Sequence, residues 1–337
     1  MFTEKQITEL RQVIDGAQNI IITCHHNPDG DALGSSLAWA RFLKTLGKEA
    51  TVVVPDAYPD FLNWLPDSHE IVRYDKHEDK AKMLIKIADL ICCLDYNTIS
   101  RVGESMSAVL QKAKAPKLLI DHHLNPDIEC VLTLSYPQMC STSELIFHCI
   151  DELGHYDSID QKTATCIYCG MMTDTGAFTY NSSDPQIYSV ISRLLEKKIN
   201  KDKIYRNVFW TYSENRMRLM GHVLSNFTMM PEYNAAYFKI SRADMKRFNF
   251  IKGDAEGLVN MPLQITGTRL SISLREDTEK ANLVWVSLRS VDDFPCNKMS
   301  EQYFNGGGHH NASGGRLYCS LEEAETIVRK AISEFRY

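Results

Sequence analysis

The 337-residue sequence predicts an α/β protein, in which a doubly wound, mainly parallel sheet is joined by helices to a smaller mixed α/β domain. Three observations support this prediction. Short β-branched runs alternate with helical patterns through the first half. Several of these runs end in acidic or imidazole side chains. The second half changes to short segments of period-two alternation, which is typical of strands with one polar face.

The first elements follow the order helix, strand, helix, strand. Apolar residues at helical spacing predict a helix within 3–18, with Thr3 as its cap. The β-branched run 19–24 suits a buried parallel strand. Residues 33–46 are apolar nearly all round, which predicts a buried helix, and 49–54 forms the next strand.

Polar groups suited to a cation follow three of the predicted strands, which are the runs 19–24, 90–94 and 117–120. In chain order these groups are His25, Asp29, Asp31, Asp95, Asp121, His122 and His123. Ligands of open α/β sheets bind outside the carboxyl ends of the strands. We therefore expect these side chains to meet in one crevice.

A further acidic candidate is Asp174, which follows a helical stretch at 161–172. An aspartate between two threonines and before a glycine is more often a cap or turn residue than a ligand. The local pattern alone therefore favours a structural role.

Four carboxylates and two imidazoles make up the candidate metal set: His25, Asp29, Asp31, Asp95, His122 and Asp174. Buried together, the carboxylates would repel one another unless cations lay among them. Six ligands are too many for one tetrahedral zinc, but they suit two metals that share a carboxylate. Oxygen and nitrogen ligands without thiolate favour Mn²⁺, with Mg²⁺, Co²⁺ or iron as alternatives. Such pairs commonly serve phosphoryl displacement.

The alternative interpretation treats these residues separately, as capping aspartates and solvated histidines. It fits any one of them. It fits the whole arrangement poorly, because both histidine-containing motifs fall at predicted strand ends.

The second half carries candidate anion-binding groups. Period two places Trp285, Ser287 and Arg289 on one face of a strand, and Arg275 lies on a neighbouring alternating segment. The glycine-rich segment 305–315 is expected to be a loop whose backbone N–H groups can approach an anion. A glycine loop alone is most often only a turn. Together with paired arginines and a following histidine it favours a phosphate site.

Composition limits the classes of partner. A formal charge of −6 argues against a broad grip on duplex DNA, which needs many contacts from lysine and arginine to phosphate. No secretory leader or membrane span is expected. Ten irregularly spaced cysteines are typical of reduced cytoplasmic thiols, and Cys166 and Cys169 are expected to be structural.

Taken in order, these motifs resemble those of the DHH phosphoesterases. The matching residues are His25-x-x-x-Asp29-x-Asp31, the strand-end Asp95, Asp121-His122-His123 and the segment 173–176. The segments 274–276, 287–290 and 306–309 resemble the C-terminal DHHA1 domain that accompanies nuclease and phosphatase members.

The resemblance implies specific roles for these side chains. His25 and Asp29 would bind one metal, Asp31, His122 and Asp174 the other, and Asp95 would bridge the two. Asp121 would orient His122, and His123 would face the substrate phosphate, so that Asp95, Asp121 and His123 form the catalytic group. The substrate would be held by residues of the second half, namely Arg275, Ser287, Arg289, Gly306, Gly307, Gly308 and His309.

The resemblance also implies a domain plan and a function. Residues 1–190 would form the metal-binding domain, 191–228 a helical connector and 229–337 the substrate-binding domain, with the active site in the cleft between the domains. The chain is most similar to the nanoRNase group, whose members degrade very short single-stranded RNA to mononucleotides and dephosphorylate 3′-phosphoadenosine 5′-phosphate. A phosphodiesterase for linear or cyclic dinucleotides and a non-catalytic nucleic-acid-binding module are the alternatives, and a homodimer stays open.

Overall fold

The computed structural model describes residues 1–251 and 253–337, which form two compact units, Met1–Thr211 and Tyr212–Tyr337. The division between the units falls inside the segment 191–228, for which a helical connector is predicted.

The first unit is built on a six-stranded parallel sheet of order β3-β2-β1-β4-β5-β6. Its strands are β1 Asn19–Thr23, β2 Glu49–Val54, β3 Val72–Arg73, β4 Leu90–Leu94, β5 Lys117–Asp121 and β6 Leu132–Ser135. The four predicted strands are the central ones, and every residue of β4 is buried, as both-face coverage requires. The short strands β3 and β6 complete the two edges.

Helices cover both faces of this sheet. They are α1 Glu4–Asp15, α2 Gly30–Thr45, α3 Glu78–Ile87, α4 Glu104–Lys112, α5 Thr142–Glu152, α6 Gln161–Asp174, α7 Pro185–Glu196 and α8 Lys201–Phe209. The larger core contains α1, α2, α5 and α6, with Trp39, Phe42 and Phe147 fully buried. The opposite face packs against α3 and α4. The predicted doubly wound arrangement is therefore confirmed.

Helices α2 and α6 approach closely because two glycines remove the side chains between them. A Cβ at Gly34 would lie 2.6 Å from the carbonyl oxygen of Cys166, and a Cβ at Gly170 would lie 2.8 Å from Asp31 Oδ1 of α2. Cys166 and Cys169 are free, buried thiols in this contact, and burial raises the pKa of both. Their position agrees with the structural role expected for them.

The second unit contains a mixed six-stranded sheet of order β11-β12-β10-β9-β8-β7. Its strands are β7 Thr228–Met230, β8 Ala235–Ile240, β9 Leu270–Glu276, β10 Val284–Ser290, β11 Gly307–His309 and β12 Ala312–Leu317, and its helices are α9 Glu214–Asn226, α10 Arg242–Arg247, α11 Cys296–Tyr303 and α12 Leu321–Glu334. Helices α11 and α12 pack on one face. Residues of α9 and α10 pack on the other face, over β8.

The glycine-rich segment differs from the loop expected for it. Gly307–His309 forms β11, which pairs antiparallel with the start of β12. The pairing satisfies backbone groups that an open loop would leave to solvent or to an anion. Elsewhere, no helix in the described ranges is long and apolar enough to cross a bilayer.

Candidate metal centre

The predicted metal ligands converge at the carboxyl edge of the first sheet. His25 lies just beyond β1, Asp95 directly follows β4, and His122 directly follows β5. Asp29 is the N-cap of α2, and Asp31 lies in the first turn of that helix. Asp174 is the last residue of α6, and the close contact of α6 with α2 brings it to the same edge. The structure thus places a functional candidate where the local sequence pattern favoured a cap.

The first group of ligand atoms surrounds His25. Its Nε2 lies 3.7 Å from Asp29 Oδ2 and 3.4 Å from Asp95 Oδ2. These three ligand atoms all lie within 4.8 Å of one another, which is close enough for one cation to bind them together.

The second group surrounds His122. Its Nε2 lies 4.0 Å from Asp31 Oδ2, 3.6 Å from Asp95 Oδ1 and 3.4 Å from Asp174 Oδ2. Asp95 therefore directs one carboxylate oxygen to each group. This division is the geometry that a carboxylate shared by two cations requires.

Hydrogen bonds outside the two groups set the orientation of both imidazoles. His25 Nδ1 lies 2.9 Å from the carbonyl oxygen of His26, and His122 Nδ1 lies 3.3 Å from that of Met139. A proton on each Nδ1 leaves the Nε2 lone pair facing the carboxylates, which is the usual arrangement of a metal-binding histidine. The side chain of His26 instead contacts Asp56, at 3.4 Å.

The role implied for Asp121 needs correction. Its Oδ1 lies 2.8 Å from Nδ1 of His123, so it orients His123 and not His122. The rings of His122 and His123 lie edge to face, with their centres 4.9 Å apart. His123 Nδ1 also lies 3.7 Å from Asp95 Oδ1.

Two residues that the sequence analysis missed hold the acidic ligands in place. The backbone N–H groups of Thr142 and Ser143, at the start of α5, donate to Asp31 Oδ2 and Oδ1 at 2.7 and 2.8 Å. The Thr142 hydroxyl donates to Asp95 Oδ1 at 3.0 Å. Asp31 and Asp95 are only 1% and 2% exposed, so these donors replace solvent. The serine cap pattern at 141–144 signals a helix start, but nothing local reveals where that helix docks.

Asp29 performs two tasks with its two oxygens. Oδ1 accepts the N–H groups of Asp31 and Ala32, both at 3.0 Å, and so caps α2. Oδ2 faces His25. The capping bonds therefore fix the carboxylate that faces the first ligand group.

Without cations, the cluster holds protons. Burial opposes the charged form of His25, but Asp29 and Asp95 outweigh it and raise its pKa to about 11. The pKa of His122 is raised to about 9 by the surrounding carboxylates, against the effect of burial. Burial and the neighbouring Asp95 raise the pKa of Asp174 to about 7. Burial also raises the pKa of Asp31.

A cluster with these properties fits divalent cations. Its donors are carboxylate oxygens and imidazole nitrogens, which suit hard or borderline ions. Cations would replace the protons that mutual repulsion and burial otherwise require.

Most of the predicted substrate residues share one face of the second sheet. Strand register places Ser287 opposite Gly314, and Arg289 opposite Ala312. Gly307 and His309 pair with the same two residues from the other side. Arg275 lies on this face through its pairing with Trp285. Gly308 pairs with the buried Ser313 and belongs to the opposite face, and Gly306 precedes the strand. Burial lowers the pKa of Arg275.

Comparison with known proteins agrees with this geometry. Residues 19–171 match the DHH family, N-terminal domain. The bifunctional oligoribonuclease and PAP phosphatase NrnA of Thermus thermophilus is 29% identical over 97% of this chain and 93% of its own. A crystal structure of an exopolyphosphatase-related protein from Bacteroides fragilis superposes with a TM-score of 0.96, at 47% identity over 98% of this chain and 96% of that one. The cyclic-di-AMP phosphodiesterase GdpP of Geobacillus thermodenitrificans is 24% identical over 97% of this chain but only 49% of its own.

The fold, the cluster and these similarities define a metal-dependent phosphoesterase. The first unit therefore carries an N-terminal domain of the DHH family.

Proposed function

We propose that this enzyme hydrolyses very short RNA oligonucleotides to mononucleotides and removes the 3′-phosphate of 3′-phosphoadenosine 5′-phosphate. The observation that supports this most directly is the length of the similarity to the Thermus relative. It covers 97% of the chain, so it includes both the metal-ligand cluster and the arginine-bearing sheet of the second unit. The acidic net charge of −6 suits a small ligand held locally better than a duplex.

We assign two divalent cations to the cluster. His25, Asp29 and Asp95 would hold one, and Asp31, Asp95, His122 and Asp174 the other. Two such ions, when bound, would supply Lewis-acid polarisation of the phosphoryl group and a lowered pKa for a water molecule. We propose Mn²⁺ as the preferred ion, with Mg²⁺ or Co²⁺ as alternatives, because the donors combine carboxylates with two imidazoles.

The protein's own groups would act around this centre. Asp121 holds Nδ1 of His123, and we assign the other ring nitrogen to the substrate, where it donates a hydrogen bond to the phosphate and a proton to the leaving oxygen. Arg275, Ser287, Arg289 and His309 would bind the remaining phosphate and sugar groups. Guanidinium groups suit this task because they bind phosphate oxygens in a bidentate manner.

A substrate panel tests the proposal. We expect the Mn²⁺-loaded protein to hydrolyse a two-nucleotide RNA faster than a five-nucleotide RNA, and to dephosphorylate 3′-phosphoadenosine 5′-phosphate. The Asp95→Asn variant serves as the blank, because it removes the shared carboxylate while keeping the side-chain shape. Intact esters in every reaction, with RNA bound equally by wild type and blank, would show a binding module instead of an enzyme.

A second candidate is a phosphodiesterase for linear or cyclic dinucleotides. The match to the cyclic-di-AMP phosphodiesterase, which spans 97% of this chain, favours keeping it. The same panel includes cyclic di-AMP, and a strong preference for that compound would replace the first proposal with the second.

A further inference from the structure

The second sheet presents a tryptophan among arginines and small residues. Trp285, on β10, is 38% exposed. Its direct neighbours across the sheet are Arg275 on β9 and Arg316 on β12. Two residues further along β10, Ser287 lies between Ser273 and Gly314. On this face, Trp285 therefore lies between two arginines and next to a row of small residues.

The ring of Trp285 is held by its edge. Its Nε1 donates to Asp277 Oδ2 at 2.8 Å. The other oxygen of Asp277 accepts the backbone N–H groups of Lys280 and Glu279 at 2.7 and 2.9 Å. These donors lower the pKa of Asp277 to about 2, so the anchor stays ionised near neutral pH. A ring fixed before a ligand arrives loses little freedom when it binds one.

Of the two arginines that flank Trp285 on the sheet, Arg275 directs its guanidinium to a different ring. The Arg275 guanidinium lies 5.6 Å from the ring centre of Phe250. Within the described ranges, no aromatic ring and no cation stacks on Trp285. An exposed, edge-anchored indole beside cationic groups has the chemistry that single-stranded nucleic-acid sites use, because every base has a π-face and every nucleotide a phosphate.

We propose that Trp285 is a stacking platform for a base of the RNA substrate and determines the preference for oligonucleotides. The inference rests on the proposed function. Trp285 and Arg289 are four residues apart on β10, or about 14 Å at the rise of an extended strand. A mononucleotide held by its phosphate at Arg289 is too short to cover that distance, whereas an extended dinucleotide reaches it. The base that stacks on Trp285 therefore belongs to a neighbouring nucleotide of the same strand.

Matched substrates test this. The set consists of an RNA dinucleotide and two versions of it, each of which lacks one of the two bases. For wild type, loss of the stacked base should raise KM by about 5- to 150-fold, the range for one base–aromatic contact, with kcat nearly unchanged. Trp285→Ala should raise KM for the intact dinucleotide by the same factor and no longer respond to that base. Trp285→Phe should retain most of the affinity.

Fluorescence gives an independent readout. Titrating the dinucleotide into Asp95→Asn protein should quench tryptophan emission, and the quenching should disappear in the Asp95→Asn, Trp285→Phe double variant. Trp210→Phe is the matched control, because Trp210 is also exposed, at 69%.

Each outcome has one meaning. Unchanged KM in Trp285→Ala, or quenching that persists without Trp285, overturns the stacking proposal. A fall in kcat together with the melting temperature also overturns it, in favour of a structural role. If wild type hydrolyses no dinucleotide, the proposed function fails, and the titration alone decides whether Trp285 stacks on a base.

Discussion

Replacing Thr142 by valine removes one hydroxyl from the metal centre and keeps the shape of the side chain. That hydroxyl donates to Asp95 Oδ1 at 3.0 Å, inside a buried contact. The backbone N–H of residue 142 still donates to Asp31, so the contact between the start of α5 and Asp31 is preserved. The substitution therefore tests whether the orientation of Asp95 matters for cation binding.

The magnitude follows from the kind of bond that is lost. A hydrogen bond to a charged group contributes about 1.5–3 kcal/mol. At 1.4 kcal/mol per factor of ten, Thr142→Val should weaken cation binding by about 10- to 100-fold. The same range is typical when partners that orient metal ligands are removed.

Calorimetric titration of Mn²⁺ into chelator-treated protein measures this affinity directly, without reference to turnover. Thr142→Ser keeps the hydroxyl and should bind nearly as wild type does. Thr165→Val, which removes a hydroxyl from the exposed face of α6, should change nothing. If Thr142→Val binds Mn²⁺ as tightly as wild type, Thr142 does not position Asp95 and the reasoning is wrong.

Three further outcomes are expected. Adding Mn²⁺ to metal-free protein should raise the melting temperature. Free ion at 100 times Kd stabilises the folded protein by about 2.7 kcal/mol per site. A melting temperature that does not change when Mn²⁺ is added would contradict the cation assignment. Gly170→Ala should destabilise the protein, because its Cβ would lie 2.7 Å from Ser143 Cβ. Gly221→Ala, at a helical position with open space around it, should stabilise the protein by about 0.5–1 kcal/mol. Denaturant unfolding measures the free energy of unfolding of both variants. Burial favours the neutral form of Asp244, but hydrogen bonds from Ser241 outweigh it and lower the pKa of this carboxyl. The ionised carboxylate therefore stabilises the folded protein fully above the usual pKa of an aspartate, about 3.9, and this contribution is lost as the pH falls. Asp244→Asn should therefore show a smaller loss of stability between about pH 5 and 2 than wild type does, and parallel acid-unfolding curves would refute this.

The sequence predicts the first sheet well because its signals are local. A β-branched run such as 19–24 favours burial on both faces of a sheet, and the polar residues that follow it are then expected at the strand end. The histidine and aspartates of the metal centre could be named for that reason. Thr142 and Ser143 could not be named from the sequence, because their contacts are distant rather than local. They bond to Asp31, more than a hundred residues away, and no local pattern records that docking.

Two other differences have separate causes. The residues next to Asp174 in the sequence favour a helix cap. Asp174 is recognised as a candidate metal ligand only in the structure, where Gly34 and Gly170 let α6 lie against α2. The glycine-rich segment reads as a loop, because glycine-rich stretches usually form turns and their strand pairing depends on a partner. The partners that position Asp174 are distant in sequence, whereas β11 pairs with residues 312–314 of its own segment, so there the turn residues concealed a hairpin.

The backbone at Asp95 limits which substitutions can report on the metal centre. Asp95 has φ 63°, a left-handed conformation that aspartate and asparagine tolerate better than most residues with a Cβ. Exchanging it for valine or leucine would combine loss of a ligand with a forced change of backbone, and the resulting inactivity could not be assigned to either. Asparagine separates the two effects. Few other residues can replace Asp95 in evolution without a change in the backbone at the end of β4. The carboxylate assigned to both cations is therefore constrained by backbone conformation as well as by charge.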